Sequence, residues 1–157
     1  LVIRELKPNE QNDYVELLKR LDQESHFWAI DSPSFFADSS DGTGRVNPIF
    51  GLVEEESLIG FVAIVRHSHE QIAHRAQLMI GILEKYHGRG YGRELINKAI
   101  SYAKDQQIRR LEVTVMAPNK KALWLFGRAG FSVEGTRRKA VRVDQDYVDE
   151  FYMSLFL

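Results

Sequence analysis

The sequence contains no cysteine. That excludes disulfides, thiolate metal ligands and a cysteine nucleophile, and it is compatible with a reducing compartment without requiring one. No apolar run approaches the ~18 residues that a membrane span needs. The first residues, Leu1-Val2-Ile3-Arg4-Glu5, read as a strand and not as a signal peptide. A cytoplasmic location with no membrane partner is the expectation. An excess of either charge is missing too: 21 basic residues stand against 22 acidic ones, for a formal net charge of −1. Wholesale nucleic-acid binding is therefore not expected.

What is present fits one globular domain over residues 1–157, with 44% hydrophobic and 27% charged residues. Basic residues gather at Arg89 and Arg93, and again at Arg137, Arg138, Lys139 and Arg142. They read either as solvated surface or as contacts for a partner that carries phosphates.

Val2 to Leu6 reads as an edge strand. Asn9 to Leu21 has Tyr14, Leu17, Leu18 and Leu21 on one helical face, and Asn9, Glu10 and Asp13 suit its N-terminus. His26 to Pro48 reads as a long polar loop, mobile around Ser39 to Gly44. Ile49 to Val53 and Leu58 to Arg66 form an antiparallel hairpin. Ala76 to Leu83 is a third apolar strand, Arg93 to Lys104 a helix, and Leu111 to Met116 a buried strand. Asn119 to Ala129 is a helix that Gly130 closes. Phe131 to Val143 and Tyr147 to Leu157 form a last hairpin. The order β-α-β-β-β-α-β-α-β-β predicts a mixed α/β or α+β domain.

The most informative stretch is Leu78 to Leu95, a strand, a glycine-rich turn and a helix. Its turn reads His87-Gly88-Arg89-Gly90-Tyr91-Gly92. Such a turn can aim several backbone N–H groups at one point beside a helix N-terminus, where glycines let an anion approach. Arg89 and Arg93 can add charge-assisted bonds. A tight turn without a ligand is the plain alternative. The P-loop pattern Gly-x4-Gly-Lys-Ser/Thr is absent. The dinucleotide fingerprint needs Gly-x-Gly-x-x-Gly and an acid about 20 residues on. Glu112 lies near that distance, but the spacing here is Gly-x-Gly-x-Gly, and too little chain follows for a doubly wound sheet.

This stretch resembles the cofactor motif of the GCN5-related N-acetyltransferase (GNAT) superfamily, Gln/Arg-x-x-Gly-x-Gly/Ala, with His87 in the first position. A second block, Asn119 to Phe131, resembles the family's Asn-x-x-Ala-x-x-Leu-Tyr-x-x-x-Gly-Phe. A third, from Glu134-Gly135-Thr136-Arg137 through Tyr147-Val148-Asp149-Glu150 to Met153, resembles a bacterial branch of ribosomal-protein and amino-acid or phosphinothricin-type acetyltransferases. The resemblance spans nearly the whole chain. It implies a mostly antiparallel central sheet flanked by helices, with the fourth and fifth strands splayed. Acetyl-CoA would be the cosubstrate and an amine of a small molecule or a protein N-terminus the acceptor.

By that resemblance, the cofactor's arm bonds to backbone near Ile82 and Leu83, and its pyrophosphate sits on the amides of His87, Gly88, Arg89, Gly90, Tyr91, Gly92 and Arg93. Asn119 touches the arm, and Phe126 lies beside the thioester. Asn119 also suits a helix N-cap. A backbone N–H of Ile82 or Leu83 would stabilise the carbonyl oxygen. Many relatives place a tyrosine where this chain has Phe126, which cannot donate a proton. Tyr147 or water would then be the acid, or none is needed. Some relatives carry a carboxylate at the position of Thr114. Glu112, two residues earlier on the same strand face, is the candidate base, or else a structural carboxylate paired with a basic residue. His67, His69 and His74 lack an accompanying carboxylate pattern, and no metal is expected.

The aromatics of His26-Phe27-Trp28 and Phe35-Phe36 read as acceptor-pocket walls or core cover, and Asp149 and Glu150 as attractors of a cationic acceptor or as outward strand residues. The apolar final strand, Phe151 to Leu157, suggests an exposed edge and hence a homodimer. Two other readings stand beside the enzyme. A CoA-binding module without catalysis is motivated by Phe126 and Thr114, and a binding protein with an empty turn by the glycine spacing alone.

Overall fold

The computed structural model describes residues 1–25 and 47–157. The long loop expected over His26 to Pro48, with its aromatics, lies outside the described residues except for its last two positions.

Among the described residues, seven strands and three helices follow in the expected order. The strands are β1 (Val2–Glu5), β2 (Ile49–Glu54), β3 (Ser57–Arg66), β4 (Arg75–Ile82), β5 (Arg110–Met116), β6 (Ser132–Val143) and β7 (Asp146–Phe156). The helices are α1 (Gln11–Glu24), α2 (Tyr91–Asp105) and α3 (Lys120–Arg128). All strands join one sheet in the order β1-β2-β3-β4-β5-β7-β6. Among the described residues, only the β4–β5 pair is parallel.

The centre of the sheet is buried on both faces, because helices cover both. Ile59 and the run Phe61 to Ile64 in β3 are all 1% exposed or less. Tyr14 of α1 meets Phe61 edge-on at 5.1 Å. Tyr102 of α2 meets Phe50 at 5.5 Å, and Phe50 lies opposite Val62 in the ladder. Phe61 and Val62 point to opposite faces, so α1 and α2 cover opposite sides. α3 adds Phe126, which packs against Phe131 at 5.2 Å. Each such aromatic pair adds ~0.5–1.5 kcal/mol beyond its burial.

Two helix starts differ from the periodicity reading for a local reason. Pro8–Glu10 forms a 3-10 turn, and the helix proper begins at Gln11. There the Glu10 carboxylate takes the Lys7 N–H at 2.7 Å and pairs with Arg4, so Asn9 is not the cap. α2 begins at Tyr91, directly after Gly90.

The final strand requires a correction. β7 is not an edge: β5 pairs with it on one side and β6 on the other. Its apolar residues answer to that interior position, so they give no argument for a dimer. The edges are β1 and β6. β6 carries exposed Arg137, Arg138, Lys139 and Arg142, which suits an edge that must not pair with another chain. Among the described residues, no helix is long and apolar enough to cross a membrane.

Candidate active site

The splay between the fourth and fifth strands is present. β4 and β5 pair at Arg75–Arg110, Ala76–Leu111 and Gln77–Glu112, and no further. Beyond that point β4 keeps β3 on one side and has a gap on the other. The Leu83 N–H donates to Ile59 O on β3 at 3.0 Å. Backbone direction alternates along a strand, so Ile80 and Ile82 turn their N–H and C=O groups into the gap. Such an edge can accept an extended, amide-bearing arm as an added strand. The His87 ring already uses it: Nε2 lies 2.7 Å from Ile82 O.

This geometry separates the two backbone positions that the sequence offered. Leu83 has both groups engaged, since its carbonyl also accepts the Tyr86 N–H at 2.9 Å, and its side chain is buried. Ile82 is the one whose amide faces the gap.

The turn that follows leads from this edge to the start of α2. Glu84–Tyr86 forms a 3-10 turn. Gly88 and Gly90 adopt φ of 74° and 82°, a region that costs other residues about 1–2 kcal/mol. A Cβ at either glycine would meet nothing within 4 Å, so open space lies beside both. The first α2 bond runs from the Glu94 N–H to Gly90 O at 3.2 Å. The amides of Tyr91, Gly92 and Arg93 thus lack helical acceptors and, with the dipole, favour an anion. Gly92 has a different requirement from its neighbours. A Cβ there would lie 2.8 Å from Leu125 Cδ2, so this glycine permits α2 to approach α3. Arg89 lies over the Tyr86 ring at 5.3 Å and Lys85 at 4.9 Å. Arg93 is exposed and makes no ion pair among the described residues.

On the other side of the gap, Asn119 caps α3, accepting the Ala122 N–H at 3.2 Å. Its side-chain amide NH2 keeps no partner among the described residues. Phe126 is 1% exposed and brings no proton donor.

The candidate acid and base lie elsewhere. Tyr147 is 62% exposed, near the hairpin turn opposite Arg142, beyond Glu150, where the β5–β7 pairing ends. Glu112 sits at the closed end of the splay. It accepts from Arg75 Nε, from Arg75 Nη2 at 3.2 Å and from Arg110 Nε at 2.9 Å. Burial opposes its ionisation, but the hydrogen bonds from the two guanidinia outweigh that and hold the carboxyl below its ordinary value. A carboxylate so engaged is a poor proton acceptor. The arrangement is the structural ion pair that the sequence allowed. A partly exposed pair of this kind contributes ~0–1 kcal/mol, so its importance rests on where it sits.

Two contributors escaped the sequence reading. Arg75 begins β4, one residue before the strand expected from Ala76. Glu24, in the last turn of α1, accepts the Glu84 N–H at 2.9 Å and ties α1 to the start of the glycine turn. Its only sequence signal is an acid in a last helical turn without basic residues, against the dipole preference. His69 caps a local turn by accepting the Gln71 N–H. A cavity of about 260 Å³ lined by Arg4, Glu10, Arg20 and Ser57 lies between α1 and β1–β3, apart from the splay.

The L-amino acid N-acetyltransferase of Escherichia coli (strain K12) is 26% identical over 98 residues, which is 62% of this chain and 60% of that protein. The chain thus spans about three fifths of that relative's length. YdaF of Bacillus subtilis (strain 168), which carries the name of a ribosomal N-acetyltransferase, is 26% identical across 99% of this chain and 90% of its own length. A GNAT-family acetyltransferase from Streptococcus pneumoniae superposes with a TM-score of 0.88 at 24% identity over 99% of each chain. Salmonella typhimurium yncA, solved with acetyl-CoA, superposes with a TM-score of 0.84 at 16% identity over 99% of this chain and 93% of its own. Residues 8–131 match the model of the Acetyltransferase (GNAT) family, and with the splayed sheet and glycine turn in place the chain belongs to that family.

Proposed function

We propose that the protein is an N-acetyltransferase that takes an acetyl group from acetyl-CoA and gives it to a primary amine of a small molecule or a protein N-terminus. One observation carries this reading. The edge of β4 at Ile80 and Ile82, which among the described residues pairs with no strand and meets only the His87 ring at Ile82 O, runs through the glycine turn to the first amides of α2. An extended arm ending in a pyrophosphate fits that track, with amide groups against the strand and phosphates against the helix start. The acetyl-CoA held by yncA and the amino-acid and ribosomal acceptors in the relatives' names are consistent with it.

Acetyl-CoA supplies an acetyl group activated as a thioester. The chain's own residues do the rest. The Ile82 amide, directed into the gap, is a donor for a carbonyl oxygen as charge develops on it. The amides of Gly88, Arg89, Gly90, Tyr91, Gly92 and Arg93, with the Arg89 and Arg93 side chains, hold the phosphates; the His87 N–H already donates to Glu84 O at 2.9 Å. Leu83 contributes its buried side chain, which fixes the end of β4. Asn119 donates from its side-chain NH2, which has no partner among the described residues, and Phe126 lies beside the thioester. The acceptor must be neutral to attack, and a lysine-like amine has a free pKa of ~10.4. Glu112 is committed to Arg75 and Arg110, so that proton passes to water; Tyr147, exposed on the last hairpin, is not needed as an acid because a thiolate leaves readily. The reaction belongs in the cytoplasm, where acetyl-CoA is supplied.

A second reading, a CoA-binding module without turnover, is favoured by the same Phe126 and by the engagement of Glu112. Calorimetric titration with acetyl-CoA, followed by thiol release across a panel of amines, tests both. Binding with turnover establishes the transferase. Binding without turnover on any amine supports the module, and no binding rejects both.

A further inference from the structure

A chain of polar contacts crosses four strands on one face of the sheet. Arg75 on β4 donates to Glu112 on β5 through Nε and Nη2. Glu112 also accepts from Arg110 at 2.9 Å. Arg110 forks onto both carboxylate oxygens of Glu134 on β6 at 2.5 Å. Glu134 in turn accepts from the Ser154 hydroxyl on β7. The ladder fixes the face. Gln77 lies opposite Glu112, and Glu112 lies opposite Ser154. Gly81 lies opposite Phe61, which meets Tyr14 of α1, so the polar chain is on the α1 side. The opposite side of the same junction holds Ala76 and Leu111, both 0% exposed.

The position of this chain is specific. It meets β4 and β5 where only three residue pairs join them, immediately before they separate. Anything inserted between the strands pries at that junction. Backbone pairing there is short, and apolar contact on the other face is tolerant of small sliding. A forked guanidinium–carboxylate contact is directional, so it fixes the relative position of the two strands.

We infer that Arg75, Glu112, Arg110 and Glu134 form a clasp at the apex of the splay that sets the width of the gap receiving the cofactor arm. They are positioning residues: they act through the Ile80–Ile82 edge and not on the reacting atoms. The inference rests on the acetyl-CoA reading given above. It assigns Glu112 a role other than proton transfer, and the two roles have different kinetic signatures. A base lost from the mechanism lowers kcat and reshapes its pH profile. A loosened clasp weakens cofactor binding while a saturated enzyme turns over normally.

The test compares wild type with Arg75→Met, Glu112→Gln and the double variant. The readouts are calorimetric affinity for CoA, KM for acetyl-CoA, kcat against pH, and the thermal midpoint. Each single variant should weaken CoA affinity about tenfold, equivalent to ~1.4 kcal/mol, with kcat and its pH profile retained. The double variant should be no worse than Glu112→Gln, because both changes break the Arg75–Glu112 contact that joins β4 to β5. Glu112→Asp, which keeps the charge but shortens the reach, should recover part of the affinity. Unchanged CoA affinity with a lowered thermal midpoint would reduce the network to fold stability and overturn the clasp. A fall in kcat with a shifted pH profile would restore Glu112 as a base and overturn it equally. Wild type that binds no CoA would instead reject the acetyl-CoA reading itself, and the clasp's function with it.

Discussion

His87 places its ring Nε2 2.7 Å from the carbonyl oxygen of Ile82. A carbonyl can only accept, so Nε2 carries the proton. The ring thereby satisfies the backbone acceptor that an incoming arm would use. His87→Ala should bind acetyl-CoA more tightly, by up to about tenfold, since a net hydrogen bond is worth ~0.5–1.5 kcal/mol. Calorimetry decides, and weaker binding would mean that the ring contacts the cofactor instead of competing with it.

The glycines of the turn should respond differently to the same substitution. Gly90 faces open space, whereas Gly92 faces Leu125. Gly90→Trp should remain folded and lose CoA binding, at a backbone cost of ~1–2 kcal/mol for its left-handed φ. Gly92→Ala asks only the half-buried Leu125 side chain to turn aside and should change stability by less than ~1 kcal/mol, whereas Gly92→Trp should destabilise by ~1–3 kcal/mol or more through overpacking. Thermal melts beside CoA titrations separate the two. Equal melting points for the Gly90 and Gly92 tryptophan variants would contradict the packing role.

Asn119 combines a cap with a side-chain NH2 that has no partner among the described residues. Asn119→Ser keeps a good cap and removes the NH2, so it should retain the melting point and lose CoA affinity. Asn119→Ala should lose both, with ~1 kcal/mol of stability from the cap. If the serine variant binds CoA like wild type, the cap is the whole role of this residue.

Acid should destabilise the fold through two carboxyls. Hydrogen bonds from Arg110 and Ser154 hold Glu134 down to about 2, and those from Arg4 and the Lys7 backbone hold Glu10 to about 2. A depressed folded value gives stability that is present above the unfolded pKa, ~4.3 for Glu. It is lost as pH falls from there toward the folded value. The thermal midpoint should drop across that window, and the drop should be smaller in Glu134→Gln and at high salt, which screens exposed pairs. An identical profile in the variant would show that the Glu134 contacts have no effect on stability.

The glycine turn was legible because it depends on residue type at fixed spacing. Gly88 and Gly90 adopt backbone angles that other residues avoid, and the helix that follows exposes its own amides wherever it starts. Asn119 as a cap was legible for the same local reason. Gly92 looked equivalent to its neighbours, yet its requirement comes from Leu125, 33 positions further along the chain. Glu112 read equally well as a base or as a paired carboxylate, because its partner Arg75 belongs to another strand.

By itself the sequence determined the element order, the two-faced helices, the conformations of the turn and the family. These follow from periodicity, glycine stereochemistry and capping, all of which act over a few residues. The tertiary structure decided the rest. It placed β7 inside the sheet, which removed the apparent apolar edge. It turned the Ile82 amide into the gap while engaging that of Leu83, and it gave Glu112 to Arg75 and Arg110. Each of these depends on which strand lies beside which and in what register, and pairing between distant segments leaves no periodic mark in either one alone.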